Sequence, residues 1–303
     1  MFQFVCGCVV VLGLSSGLWA VDLPYGSDTL PYLATRATLV ATAAAVRPLP
    51  VKEPLPSGAR INAYGVQLQR EPVLKGTVPD AREVTVVVPL ALDFGNAEET
   101  RLQKGQTLFL AEYTDNDGLA TIGAPGTQPA YLLVSGRYGV VDLQKSDFKQ
   151  QRVAEYVRNL SGQAEARLDA ARTQWCLSTL TEGDDFLKRS AVFELDRFSQ
   201  EPQAIQILAR ALESTNTSVA IKRDAINVLR TSEQESAVAP LKSLAENGQQ
   251  PLVLRKHAVD SLGAVPGGLT ILQEWSRGND RVLAPAAVRS FQKWEKVKAA
   301  PPN

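Results

Sequence analysis

The chain has 303 residues, in which 32 basic side chains balance 32 acidic ones. At about twice the ~150 residues of a typical domain, it is long enough for two separately cored units. Zero net charge supplies no overall field for nucleic acid or an anionic membrane, so a nucleic-acid partner is not expected and electrostatic recognition must come from local patches.

Residues 1–20 carry an uncharged apolar run from Phe4, then Ser15, Ser16, Gly17 and a small residue at Ala20. This pattern predicts a signal peptide cleaved after Ala20, and with it an exported, periplasmic or secreted protein. No Lys or Arg supplies a positive start and Leu18 is large for its place, so an uncleaved anchor, or lipidation at Cys8, are the alternatives. No later stretch approaches the ~20 apolar residues of a membrane span. Cleavage would leave Cys176 as the sole thiol, which excludes an intrachain disulfide and a Cys-rich zinc site. No metal and no cofactor are expected.

Residues 21–145 read as short β-type runs at 37–46, 61–69, 83–88, 107–113 and 131–141, separated by turn residues. In the second, Tyr64, Val66 and Leu68 alternate with Ala63, Gly65 and Gln67, the period of a half-buried strand. Residues 48–56 hold four prolines and predict an extended solvated loop. The acids from Asp115 to Gly118 suggest calcium, but the twelfth position is Gly126 where a bidentate Glu is needed, so a hairpin turn is the better reading. The run from Val66 to Gly76, with its V-L-K-G ending, the valine strand from Val84, and Lys104 to Leu110 resemble the bacterial netrin- and metalloproteinase-inhibitor-like domains. The resemblance implies an OB-type barrel. Inhibition in that family depends on an N-terminal cysteine, which a chain beginning at Val21 does not have.

Residues 146–303 change to helical periodicity. Four segments superimpose, beginning at Leu187, Ile221, Leu254 and Leu283, with aligned alanines at Ala191, Ala225, Ala258 and Ala287 recurring roughly every 30 residues. Apolar residues at i, i+4, i+5 and i+8 form one helical stripe, and the alanine admits a close neighbour. Other helical patterns lie between the copies, so each repeat is a helix pair; Val153 to Leu160 and Leu168 to Leu180 supply one more. The run L-R-K-x-A-V-x-x-L-G from Leu254 to Gly263 resembles the HEAT-like repeats, including the phycobilisome-lyase type. That resemblance implies a stacked solenoid and no particular reaction. The expected fold is therefore a small OB-like β-barrel followed by an α-solenoid of HEAT-like helix pairs.

Little reads as catalytic. The G-x-S-x-G at Gly13 to Gly17 lies inside the leader, His257 is the only histidine and reads as solvated surface, and Cys176 reads as an inert buried thiol. Acid pairs such as Asp184 and Asp185 fit helix capping. Sequons at Asn159 and Asn216 matter only where glycosylation operates. Twin basic residues open three repeats. At about 100° per residue, Lys188, Lys222 and Arg255 fall at the stripe margin as a structural ladder, while Arg189, Arg223 and Lys256 point outward as a basic stripe for an acidic partner. The expected function is a non-enzymatic scaffold that binds a protein partner through its repeats. A protease-inhibitor-like module in the N-terminal half, or a hydrolase with unidentified carboxylates, are the alternatives.

Overall fold

A computed structural model describes residues 28–51, 61–89, 101–113, 129–135, 139–144, 146–161 and 168–299. The expected leader at 1–20 and the turn at 115–118 lie outside these.

The N-terminal half forms a closed five-stranded barrel of OB type. Strands β1 (Leu39–Leu49), β2 (Ile61–Leu68), β3 (Val84–Pro89), β4 (Thr107–Glu112) and β5 (Ala130–Leu133) run in the order β1-β2-β3-β5-β4, and β4 returns to β1 to close the circle. All pairs are antiparallel except β3–β5, which is parallel. A short β6 (Val140–Val141) adds to β4. Closure removes the exposed strand edges. It depends on β1 serving two neighbours: residues 39–42 pair with β4, residues 43–49 with β2, and the register shifts between Ala43 and Ala45 at the crossing. One extra residue on one strand bends it and increases its twist, which lets a single strand turn a barrel corner.

Three expectations change here. Pro48 is not in the loop: it pairs with Tyr64 inside β1. Proline fits there because β1 has left β4 by this point, so its missing N–H costs no ladder bond. Strand β2 is not half-buried, since Ile61, Ala63, Tyr64 and Val66 are all buried; Ile61 and Ala63 join Val87 in a second small apolar cluster apart from the barrel interior. The final run divides into β5 and β6.

A helix missed by the β-type reading, α1 (Leu30–Arg36), precedes β1. Its Leu30, Leu33 and Ala34 are fully buried in one core that also takes in Phe109 and Val141 of the barrel and the interior of the helical half. Lys75, at the V-L-K-G turn, donates from Nζ to the Ala34 carbonyl at 2.7 Å, and its ammonium pKa is lowered by burial. The turn needs Gly76, whose φ is +74° and where a Cβ would strike the Thr38 carbonyl.

The C-terminal half is an α-solenoid of HEAT-like helix pairs. It opens with α2 (Asp147–Glu155), which widens into a π-turn over Tyr156–Leu160, and continues with α3 (Ala170–Glu182), α4 (Asp185–Asp196), α5 (Pro202–Glu213), α6 (Val219–Arg230), α7 (Val238–Glu246), α8 (Leu252–Leu262), α9 (Gly268–Ser276) and α10 (Leu283–Ala299). Side chains cap the starts: Asp169 Oδ1 accepts from Arg172 N, Asp184 Oδ1 from Leu187 N, and Ser218 Oγ from Ile221 N. Helices α4, α6, α8 and α10 stack as one layer, more closely than α3, α5 and α7 stack in the other. The aligned alanines make the close layer, and all but none of their surface is exposed. Among the described residues, no helix is long and apolar enough to cross a membrane.

Candidate docking site at the junction of barrel and helices

The stripe-margin residues of the repeats are largely covered. Lys188 and Lys222 are 4% and 5% exposed. Each reaches into the loop before the next repeat: Lys188 Nζ donates to the Asn216 carbonyl, and Lys222 Nζ to Gln250 Oε1 at 3.2 Å. Arg255 turns to the Ala245 carbonyl at 2.8 Å. The acceptors are carbonyl and amide oxygens rather than the carboxylates an ion ladder requires. Burial lowers the Lys222 pKa.

The outward trio divides. Arg223 and Lys256 are exposed, whereas Arg189 is only partly so. Arg189 does not point away from the core: its guanidinium pairs with Asp28 ahead of α1, and its Nε lies 3.0 Å from Oδ2 of Asp224 on α6. The physical reason is α1, which lies against α4 and brings an acid to that surface. Next to this pair, the Leu30 N–H donates to Ser190 Oγ at 2.8 Å, so a first-turn amide of α1 is satisfied by a side chain of α4.

Around Arg189 lies a cleft of about 430 Å³, between β6, the start of α2 and the N-terminal ends of α4 and α6. Asp142, Lys149, Phe186 and Arg223 line it with Asp28 and Asp224. Lys149 Nζ pairs with Asp184 at 2.8 Å and sits 4.9 Å from the Phe186 ring centroid. Arg223 has no hydrogen-bond or ion-pair partner among the described residues. Sequence reasoning found Arg189 and Arg223 but missed Asp28, Asp142, Lys149 and Asp224. Asp224 had a signal: it aligns with Ser190 and His257, directly after the twin basic residues. Asp28 had none, because nothing in residues near it announces a docked helix.

A second polar cluster is internal. Arg172 and Glu194 are both fully buried and paired; Tyr156 Oη donates to Glu194 Oε2 at 2.6 Å, and Arg172 Nη2 donates to the Leu160 carbonyl at 2.9 Å. Arg197 Nη1 reaches Glu194 Oε1 at 3.2 Å. The π-turn spaces Tyr156 and Leu160 so that one presents its hydroxyl and the other its carbonyl to this cluster. Burial and the Glu194 carboxylate raise the Tyr156 pKa far above a phenol's usual value. Burial likewise pushes the Cys176 thiol up, away from the thiolate form that reacts.

His257 is half-buried, not solvated: its Nε2 lies 2.9 Å from Asn227 Oδ1 on the neighbouring helix. Its pKa is lowered, first by burial and then by Arg230. Among the described residues, no group of three or more His, Cys, Asp or Glu is placed to hold a metal ion.

Fold and cleft together define a barrel joined to a helical-repeat scaffold. No family model matches the chain, and no curated protein matches it. This overturns both family resemblances, to the netrin- and inhibitor-like domains and to the phycobilisome-lyase type of HEAT repeat; the architecture remains without either assignment. A solved structure of human deoxyhypusine hydroxylase in complex with glycerol is similar over 49% of this chain and 56% of its own length, with 19% identity and a TM-score of 0.36. The match thus spans little more than half of that protein.

Proposed function

We propose that this chain is a non-enzymatic, exported scaffold that binds a protein partner through the surface of its helical repeats. The observation that carries this reading is the junction cleft, where Arg223 is left without an ionic partner among the described residues while Arg189, Lys149, Asp28 and Asp224 beside it are paired. Other charged groups serve as structural ties: the buried Arg172–Glu194 pair joins helices, and Lys188 and Lys222 join repeats. Repeat stacks present long surfaces rather than closed pockets, and such surfaces suit protein partners. Export is proposed from the apolar leader alone.

The test is capture with the full-length mature chain as bait from an envelope extract of the native cell, followed by titration of the retained protein. A saturable partner at micromolar affinity or better is the expected result. A bait that retains nothing saturable, or that turns over a small-molecule ester or amide panel, would remove the scaffold reading.

A further inference from the structure

The stacking of α4, α6 and α8 sets up a charge rule that is kept once and then abandoned. Arg189, two residues after Leu187, pairs with Asp224, which stands three residues after Ile221 in the next repeat. The equivalent partner for Arg223 is His257, and for Lys256 it is Ala286. His257 is not an anion; it is bound to Asn227 and held toward its neutral form by burial and by Arg230. Arg223 and Lys256 are both exposed and have no ion-pair partner among the described residues.

An apolar lane runs beside this basic one. Val219, Leu252 and Val253 are 46%, 47% and 61% exposed at the first turns of α6 and α8. Val253 precedes Lys256 by three residues, and Ala220 precedes Arg223 by three, so each basic side chain neighbours an exposed apolar one on the helix surface. At the α4 end the equivalent positions are Asp185 and Phe186, and the chain itself covers part of this surface: Asp28 sits on Arg189, and Lys149 lies 4.9 Å from the Phe186 ring centroid.

Resting on the scaffold reading, we infer that Arg223 and Lys256 form a recognition strip for an extended acidic segment of the partner, with carboxylates three residues apart. Charge complementarity selects the acid. Arg189 is shared by two carboxylates, Asp28 and Asp224, and Asp185 lines the same end of the cleft, so that end is rich in acids and directs an acidic segment away from it, along α6 and α8, where Lys293 pairs with Asp260. The spacing follows from packing. Stacked helices lie about 8–10 Å apart, and a polyproline-type strand rises about 3.1 Å per residue with three residues per turn. Residues i and i+3 of such a strand thus face the same way about 9 Å apart, and an apolar residue between them reaches the lane of Val219 and Val253.

The probe is a blocked peptide Pro-Glu-Val-Pro-Glu-Val, with the Gln-for-Glu peptide and an isomer carrying adjacent glutamates as controls, titrated against the full chain by calorimetry at low salt. Saturable binding of the first peptide alone is expected, weakened at least about tenfold by the double variant Arg223→Glu/Lys256→Glu and by raised salt. Both positions are exposed, and an unchanged melting temperature checks that the variant folds. Equal binding by wild type and variant overturns the strip. So does retention on anionic phospholipid vesicles with no peptide binding. If the variant captures the same partner as wild type, the strip falls and the scaffold reading stands; if wild type captures none, the scaffold reading falls.

Discussion

Asp28 and Arg189, 161 residues apart in sequence, are joined in an ion pair that fastens the start of α1 to the first helix of the close layer. Because Arg189 also holds Asp224 on α6, the pair belongs to a chain of charges running from the barrel side into the second repeat. Asp28→Ala and Arg189→Ala should each lower the melting temperature, and the double variant should lower it by less than their sum. Arg189 is 31% exposed in its side chain, so its pair with Asp28 contributes about 1 kcal/mol or less. Asp224 is nearly buried, so Arg189→Ala should cost more than Asp28→Ala by taking an ionic partner from a buried carboxylate. Strict additivity in a thermal-melt cycle would show that the two do not interact.

The buried tie between Arg172 and Glu194 makes a stronger prediction. Removing one partner leaves a charge inside the core, which costs about 3–5 kcal/mol. Glu194→Gln and Arg172→Met should each cause a loss of that order by urea denaturation, while Tyr156→Phe, which removes one hydrogen bond to the carboxylate, should cost less, about 1.5–3 kcal/mol. A loss below 1 kcal/mol for Glu194→Gln would mean that the carboxylate is not held as described.

The continuous core across α1 predicts how fragments behave. Residues 146–303 should be helical by circular dichroism but should melt below a fragment that begins at 28, because the α4 surface that receives Leu30 and Leu33 is then bare. In the intact chain, Leu33→Ala should destabilise by about 2–5 kcal/mol. If the shorter fragment is as stable as the helical portion of the whole chain, α1 is not part of the helical core.

His257 gives a pH dependence whose sign is settled by its lowered pKa. The unfolded chain takes up a proton near the ordinary value of about 6.5, and the folded chain only below it. Its contribution to stability is therefore present above that value and is lost as the pH falls through it toward the folded pKa. His257→Gln, which keeps a group able to bond Asn227, should flatten the fall in melting temperature between about pH 7 and pH 5. A variant with the wild-type slope would place the titration elsewhere.

The leader is checked directly: mass spectrometry of exported protein should find Val21 as the first residue. An intact Met1 on membrane-associated protein would favour the uncleaved anchor.

Periodicity made most of the architecture legible. The aligned alanines lie at the helix seam because a close helix contact admits little else, so their recurrence carries the repeat directly. The strands were legible for the same reason, while α1 was not. Seven residues containing a proline give too short a period to separate from β-type text, and its helix is stabilised by Ser190 and the α4 surface, which are remote in sequence. The site was half legible. Helical geometry placed Arg223 and Lys256 outward, but it could not foresee that a different part of the chain would bring an acid to Arg189.

The irregularity between Ala43 and Ala45 decides more than the path of one strand. Beyond it, Val46 packs toward the barrel interior and Arg47 points to Glu83 on the outside. Ala43 and Val46 both face the interior although they stand three positions apart, where strict alternation would put them on opposite faces. The extra residue Ala44 absorbs the difference, since Ala43 stands opposite Leu68 and Ala45 opposite Gln67, the very next residue of β2. A chain shortened by this one residue would keep Val46 inward and Arg47 outward on a regular ladder, and what it would lose is the local bend and added twist that carry β1 from β4 to β2.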